Sequence, residues 1–480
     1  MNNNSLILLA IFVPLLGSLI LPAVGWISTR LRNLLALIFV LTSLVCASLM
    51  MPSVLAGESS KISIALPMGF NFVLVADMLA IFMAIVSSLI GGIIVFYSFD
   101  YISHYGNQNE YYLMVVLFLG SMMGIVFSAN LILLYVFWEL TALASWRLIG
   151  FFREKNHVLK ADKSFLVTVF GAVMMLVGFV MIFQQTGSFD LETIRSSLSA
   201  SNPLSNIAVI FILFGILSKS ATLPLHTWLP DAGVAPSPVT ALLHVAVLVK
   251  IGVYVYARLF ISTFTVAPAW HTIIPFIAAV SALVSAGAAL IDTDMKRIIA
   301  YSTVSQIAFI FLGLSVGGEL AITGGLLYIL MHGLAKGGLF LCAGIVEQST
   351  HTKDISKMGG LIHTMPITAV CFIICAFSVM GIPPFGGFFS KYMVIAGAVN
   401  TGQLFMAFTF VFGAVLTLLY LFRLFTMMFL GETRTASHGE KSTIMLTSVG
   451  MLAVLSIVAG IYIKFIAGPV ESTVHQMLGR

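Results

Sequence analysis

Charge is what this sequence has least of. Lys, Arg, Asp and Glu make up 9% of its 480 residues, against about 25% in soluble globular chains. That scarcity excludes a soluble globular domain, a disordered tail, a collagen and a coiled coil. Basic residues outnumber acidic ones, 23 to 18, but they are scattered, and a nucleic-acid partner is excluded on that ground. Cysteine is also scarce. Cys46, Cys342, Cys371 and Cys375 all sit in apolar runs. Cys371 and Cys375 share a helix face one turn apart, but no Cys or His at ligand spacing flanks them in a loop. Zinc or iron–sulfur ligation is therefore not expected; packed apolar thiols are. Rossmann, P-loop and haem-attachment patterns are missing, so no cofactor is expected and any redox chemistry belongs to another chain. Met1–Ser5 holds no basic residue ahead of the apolar run from Leu6, so a cleaved signal peptide is not expected.

What is there is apolar: 60% of residues are hydrophobic, with a mean hydropathy of +1.08. A spanning helix needs about 20 mostly apolar residues. By that rule the chain is an all-α polytopic membrane protein with about fourteen transmembrane helices. The spans are 5–25, 34–51, 74–98, 111–129, 131–151, 164–184, 206–226, 239–260, 273–291, 299–316, 321–346, 366–399, 404–430 and 444–466. The twelfth is too long for one simple helix and contains Gly381, Pro383, Pro384, Gly386 and Gly387, so it reads as interrupted. The seventh is broken at its end by Pro224 and Pro230. Alternate loops divide the basic residues twelve to three. Arg30, Arg32, Arg153, Lys155, Lys160, Lys163, Lys296, Arg297, Lys353, Lys357, Arg434 and Lys441 fall on one side, and Lys61, Arg195 and Arg258 on the other. The positive-inside rule places the richer side in the cytoplasm. Both termini then lie on the non-cytoplasmic side of a cell (inner) membrane, which requires an even number of spans.

A few charges lie where lipid should forbid them. Glu139 is about eight residues into the run 131–152, or about 12 Å deep. Lys219, Lys250, Lys336 and Lys391 also lie in apolar runs. A charge at mid-bilayer costs at least about 2.5–3.5 kcal/mol on the gentlest scale. Five such residues must therefore face a protein or water interior, pair, or titrate. Glu139 is the natural counter-ion for Lys219, which sits just before the Pro224 break. A break frees backbone groups and brings water and flexibility. A lysine whose carboxylate can approach or retreat is a proton switch; the alternative is a static ion pair fixing two helices. His244 and Lys250 are about 120° apart on a helix and share no face, so a relay through both needs water. His332 and Lys336 are i and i+4 and share one. Histidine titrates near neutrality, although a lone intramembrane histidine is equally read as a satisfied hydrogen-bonding group. Lys391 follows the Pro383–Pro384 break as an exit group or a lysine snorkelling to the interface. The order Lys219, His244, Lys250, His332, Lys336, Lys391 is what proton conduction across a dry bundle requires. One buried carboxylate serves cation binding by oxygen ligands poorly. Asp294, in the turn Asp292–Arg297, suits a helix N-terminus and lies where it could bias a buried lysine.

At these residues the chain resembles the antiporter-like, proton-translocating membrane subunits of respiratory complex I. Mrp-type cation/proton antiporters, membrane-bound hydrogenases and formate hydrogenlyases contain relatives of the same family. The matching stretches are Phe137–Leu140 with Leu148–Phe151, Lys219–Ala221 with Leu223–Ala232, and Pro238–His244. Asp294–Arg297 with Ala300–Gln306, His332 with Lys336, and Gly381–Pro384 with Phe389–Lys391 complete the set. The resemblance implies two inverted five-helix repeats with broken helices 7 and 12, and half-channels from each side meeting in a central polar axis. It divides the chain into three N-terminal helices (1–110), a first repeat (111–260), a second repeat (261–430) and a C-terminal helix (431–480). It assigns Glu139 and Lys219 to the fifth- and seventh-helix pair, Lys250 to the eighth helix, Lys336 to the eleventh and Lys391 to the twelfth. Arg147 stands where an uncharged residue is expected and is a modulator of Glu139. The function implied is proton, or sodium, translocation in a complex with other membrane subunits and a peripheral redox module. Two alternatives remain open: a subunit of an Mrp-type Na+/H+ antiporter without a redox partner, and a non-pumping scaffold for a hydrogenase or uptake module.

Overall fold

A computed structural model describes residues 2–65, 67 and 71–479. Among them, twelve helices are long and apolar enough to cross a membrane. The first six are α1 (Asn3–Ile27), α2 (Thr29–Leu55), α3 (Met78–Tyr101), α4 (Gln108–Phe127), α5 (Leu131–Ile149) and α6 (Lys155–Thr186). A short helix α7 (Leu191–Ser197) follows. Helix α8 (Asn206–Lys219) stops at the first break, beyond which lies one turn, α9 (Trp228–Asp231). The next crossing, Ser237–Ile261, is irregular: α10 (Ser237–Ala241) and α11 (Leu248–Tyr256) are joined by a π turn at Leu242–Ala246, and a second π turn follows at Ala257–Ile261. Then come α12 (Trp270–Ile291), α13 (Met295–Ser315) and α14 (Glu319–Thr350). Helices α15 (Pro366–Met380) and α16 (Gly386–Asn400) flank the second break. The chain continues through α17 (Leu404–Phe429), α18 (Thr443–Ile461) and α19 (Ile463–Leu478).

Both breaks fall where the prolines place them, and each holds a cis X–Pro bond, Leu223–Pro224 and Pro383–Pro384. Backbone groups freed in a membrane interior must find partners within the protein. At the first break the Trp228 Nε1–H donates to the Ser218 carbonyl at 2.9 Å, and the Leu223 N–H donates to Ser281 Oγ at 3.2 Å. At the second, Gly381 ends α15 with a φ of 83°. Only glycine enters that region at no steric cost, and a Cβ there would lie 3.0 Å from Cδ of Lys391. The fourteen spans of the sequence reading require each broken segment to complete one crossing besides the twelve long helices.

Burial sorts the helices. The apolar stretch of Ser237–Ile261 is 100% buried and those of α13 and α14 94% each, against 33% for α2 and 39% for α1 and α6. The first group is the interior of the bundle and the second its periphery, where apolar residues such as Leu166 and Phe170 point outward. Helix α14 is the hub, packing against α3, α10, α13, α15, α16, α18 and α19. Lys250, His332 and Lys336 thus lie on the most enclosed helices, where hydropathy alone gives no reason for a charge.

Two elements correct the sequence reading. The third span begins at Met78 rather than 74, because residues 71–76 form a strand. Strands β1 (Ser60–Ala65) and β2 (Asn71–Ala76) pair antiparallel, Ser60 opposite Ala76. Asp77 then caps α3, its carboxylate accepting from the Ala80 N–H at 2.9 Å. The C-terminal region holds, besides α18, the helix α19, which packs against α14 and α3.

Candidate functional site: a buried row of lysines and histidines

Lys219, His244, Lys250, His332 and Lys336 are fully buried, and Lys391 is 4% exposed. Snorkelling is therefore not available to Lys391. Its ammonium donates to the Val379 carbonyl at 2.6 Å, in the last turn of α15, where the unpaired carbonyls of a helix end favour a cation. The Phe309 and Tyr328 rings face the same ammonium at 5.8 and 5.6 Å.

Lys219, the last residue of α8, reaches across to α5. It donates to the Trp138 carbonyl at 3.1 Å and lies 5.1 Å from the centre of the Trp138 ring. Glu139 is the next residue along, and its charge acts on Lys219. No ion pair joins the two side chains, and Glu139 Oε1 has no hydrogen-bond partner among the described residues. The static pair weighed in the sequence reading is thus not what the fold builds. The ammonium is held by a neutral carbonyl, with an unengaged carboxylate oxygen on the adjoining residue.

The remaining groups converge on His332. Lys250 Nζ lies 3.1 Å from His332 Nδ1, so α11 and α14 exchange the direct contact that helix spacing had suggested for His332 and Lys336. The charges of Lys250, Lys336, His244 and Lys391 all act on His332. Its Nε2 has no partner among the described residues, nor has either ring nitrogen of His244, whose ring packs on Phe340 at 4.5 Å between centroids. His244 sits in the π turn, where the Val247 N–H reaches back to the Leu242 carbonyl at 3.0 Å. One extra residue in the turn rotates everything beyond it, so the 120° estimate for His244 and Lys250 does not apply. Gly252 allows α11 to lie against the end of α8: a Cβ there would be 2.8 Å from the Ile216 carbonyl oxygen. That close approach brings the Lys219 and Lys250 helices together. Lys336 donates to Ser302 Oγ, and to the Ile299 carbonyl at 3.4 Å.

Neutral polar residues that sequence reasoning passed over complete the row. Gln306 donates to Thr417 Oγ1 at 3.1 Å and to Tyr420 Oη at 3.2 Å, and accepts from the Tyr328 hydroxyl. Tyr328 in turn faces both Lys391 and His332. The signal available was the run Ser302–Gln306, quoted for the family resemblance but assigned no role.

The two modulators are placed elsewhere. Arg147 pairs with Glu110 of α4, as does Arg153, so its guanidinium is directed to Glu110 and not to Glu139. Asp294 caps α13 by accepting from the Arg297 N–H at 3.1 Å, and among the described residues it makes no ion pair with a buried lysine. Beyond the spans, burial raises Asp231, but Lys163 at 2.8 Å and Arg297 at 2.9 Å outweigh it and hold the carboxyl below the usual range. Among the described residues no cluster of three or more His, Cys, Asp or Glu is arranged to hold a metal.

A bundle of this shape, with charged groups enclosed at its centre and its outer helices apolar, is a multi-pass membrane protein. Residues 128–417 match the family described as NADH:quinone oxidoreductase/Mrp antiporter, TM, and the chain belongs to that family. It is 32% identical to Na(+)/H(+) antiporter subunit A1 of Staphylococcus saprophyticus over 99% of this chain and 63% of that protein. It is 34% identical to the subunit of the same name from Staphylococcus aureus (strain JH9) over 82% of this chain and 53% of that protein. The chain thus spans a little over half the length of these relatives. Its fold is that of a chain in the Mrp complex from Dietzia sp. DQ12-45-1b, with a TM-score of 0.90 at 23% identity over 98% of this chain and 97% of that one. A chain of the membrane-bound sulfane sulfur reductase, an archaeal respiratory membrane complex, gives 0.88 at 24% identity over the same shares.

Proposed function

We propose that this chain is the ion-translocating membrane subunit of a multisubunit sodium/proton antiporter, working with other membrane subunits and without a redox partner. The observation that carries the reading is the set of titratable groups enclosed in the bundle: half-buried Glu139 beside Lys219, Lys250 against His332, and Lys336 and Lys391. Titratable chains of this kind inside a membrane bundle mark proton paths. The names of the sequence relatives support the antiporter over the redox-driven complex that the sequence alone put first. The likeness to the sulfane sulfur reductase chain carries the fold and no more.

In this reading the ammonium of Lys219 alternates between the Trp138 carbonyl and the Glu139 carboxylate. Charge arriving near the first break shifts that balance, and the change in local potential moves a proton along Lys250, His332, Lys336 and Lys391. Helices 7 and 12 of the inverted repeats are the segments broken at Pro224 and at Pro383–Pro384, each completing a crossing. The repeats occupy 111–260 and 261–430, and the loops rich in Lys and Arg face the cytoplasm, with both termini opposite.

The test is sodium-induced collapse of a pH gradient in everted membrane vesicles carrying the assembled complex. Glu139→Ala and Lys219→Ala should each abolish exchange while the complex assembles in normal amount. Native exchange in assembled Lys219→Ala would overturn the reading.

A further inference from the structure

A second polar assembly lies at the end of the bundle that carries the basic loops, and the row described above does not use it. Lys296, at the start of α13, is 1% exposed, yet it lies 2.6 Å from Glu347 near the end of α14. The ammonium also donates to the Ala235 carbonyl at 3.1 Å. The hydroxyl of Ser237, the first residue of α10, donates to the same Glu347 oxygen at 3.2 Å, and the Tyr101 hydroxyl lies 3.4 Å from Ser237 Oγ. Tyr101, Ala235, Lys296 and Glu347 line a cavity of about 530 Å³ whose other titratable residues are Tyr105, His104, His351 and Lys353, with Ser237 buried behind them. Lys353 stands 3.9 Å from the second Glu347 oxygen.

Position ties the cavity to the buried row. Glu347 is eleven residues beyond Lys336 on α14, about three turns on nearly the same face and about 16 Å away. Ser237 begins the helical segment whose π turn carries His244. The helix that holds Lys336 therefore ends, and the segment that holds His244 begins, beside this cavity. An ion pair that closes such a floor can be opened by a proton: the Glu347 carboxylate takes one from water and loses its attraction for Lys296, whose ammonium stays on the Ala235 carbonyl. A cleft walled by low-dielectric protein also concentrates ions at its mouth.

We infer that this cavity is the vestibule through which the proton enters from the basic-loop face, with Glu347 as the uptake carboxylate and Lys296 as the group that closes it. The inference rests on the transport reading above. The floor opens when Glu347 is protonated and closes when its proton moves on toward Lys336 or His244.

Sodium-driven proton exchange in everted vesicles, with recovery of the assembled complex as control, tests this with Glu347→Gln, Glu347→Asp and Lys219→Ala. Glu347→Gln should slow exchange at least tenfold, and Glu347→Asp, which keeps the carboxylate, should stay within about threefold of the native rate. Native exchange in Glu347→Gln with none in Lys219→Ala overturns the vestibule alone; native exchange in both overturns the transport reading beneath it. If Glu347→Gln does not assemble, Gln348→Cys, at a residue that lines the cavity, decides. A small membrane-impermeant thiol reagent at the basic-loop face should modify it and cut exchange at least fivefold. The native chain, whose four cysteines are buried, should be unaffected. Absence of modification, or modification without loss, overturns the proposal.

Discussion

Replacing Lys219 by methionine should stop transport without weakening the protein. The ammonium makes one hydrogen bond to the Trp138 carbonyl at 3.1 Å and faces the Trp138 ring at 5.1 Å. Losing a hydrogen bond to a charged group costs about 1.5–3 kcal/mol. A desolvated cation over an aromatic ring is worth about 2 kcal/mol. Against this stands the cost of keeping an ammonium fully buried, which is several kcal/mol per ion even after relaxation. Methionine conserves most of the volume and adapts to irregular space, so no large cavity opens. The two sides nearly cancel, and the expected net change is within about 2 kcal/mol of zero, with stabilisation the favoured sign. The orphaned Trp138 carbonyl is a backbone acceptor already engaged in its helix. Stability is read as the midpoint of thermal unfolding of the purified complex in detergent, and exchange in vesicles from the same preparation. Exchange should fall at least a hundredfold with the midpoint unchanged or raised. A midpoint lowered by many degrees in step with the loss of exchange would refute the reasoning, because Lys219 would then be a structural group.

Four further outcomes follow from the same geometry. Arg258 and Asp77 form a bidentate pair at the non-basic end of the bundle, with Arg258 also on the Tyr254 hydroxyl at 3.0 Å. Arg258→Ala should cost about 3–5 kcal/mol by stranding the carboxylate, and Arg258→Met with Asp77→Asn should recover most of it in a double-mutant cycle of unfolding. Gln306→Leu leaves Tyr328, Tyr420 and Thr417 without their shared partner and should cost about 1–3 kcal/mol while slowing exchange. Gly381→Ala forces a side chain into a φ of 83° and should cost about 1–2 kcal/mol, with a measurable loss of exchange as Lys391 is displaced. Asp231 carries a lowered pKa, so its pairing stabilises the fold above the ordinary carboxylate range and is lost as pH falls through the lower folded value. Acid unfolding of Asp231→Asn should therefore be less steep below about pH 4.

Much of the fold was legible because lipid imposes so simple a rule. Twelve of the expected spans are long helices, and the two that are broken are the two with prolines at Pro224 and Pro383–Pro384. The buried lysines were legible for the same reason: a charge in an apolar run is too costly to be accidental. Neutral polar residues carry no such signal. Gln306, Tyr328 and Thr417 are ordinary within membrane helices, and only the third dimension brings them to Lys391 and His332. The π turn at Leu242–Ala246, which lies against α14, is equally silent, and it voids helix-wheel arithmetic for His244 and Lys250. The hairpin before α3 was hidden because its second strand, Asn71–Ala76, is as apolar as the span it adjoins. Lys296 counts among the loop charges and Glu347 lies just beyond the span 321–346; their separation in sequence gives no hint that they meet beside a cavity.

The claim at the centre of this account is that the buried row itself carries the proton, and the Lys250–His332 contact at 3.1 Å is its one direct link between two titratable side chains on different helices. The most direct test is proton flux driven by a sodium gradient in proteoliposomes of the purified complex, native against Lys250→Met. A loss of at least a hundredfold, with the complex assembled and its unfolding midpoint unchanged, is the result expected; native flux through Lys250→Met would contradict it.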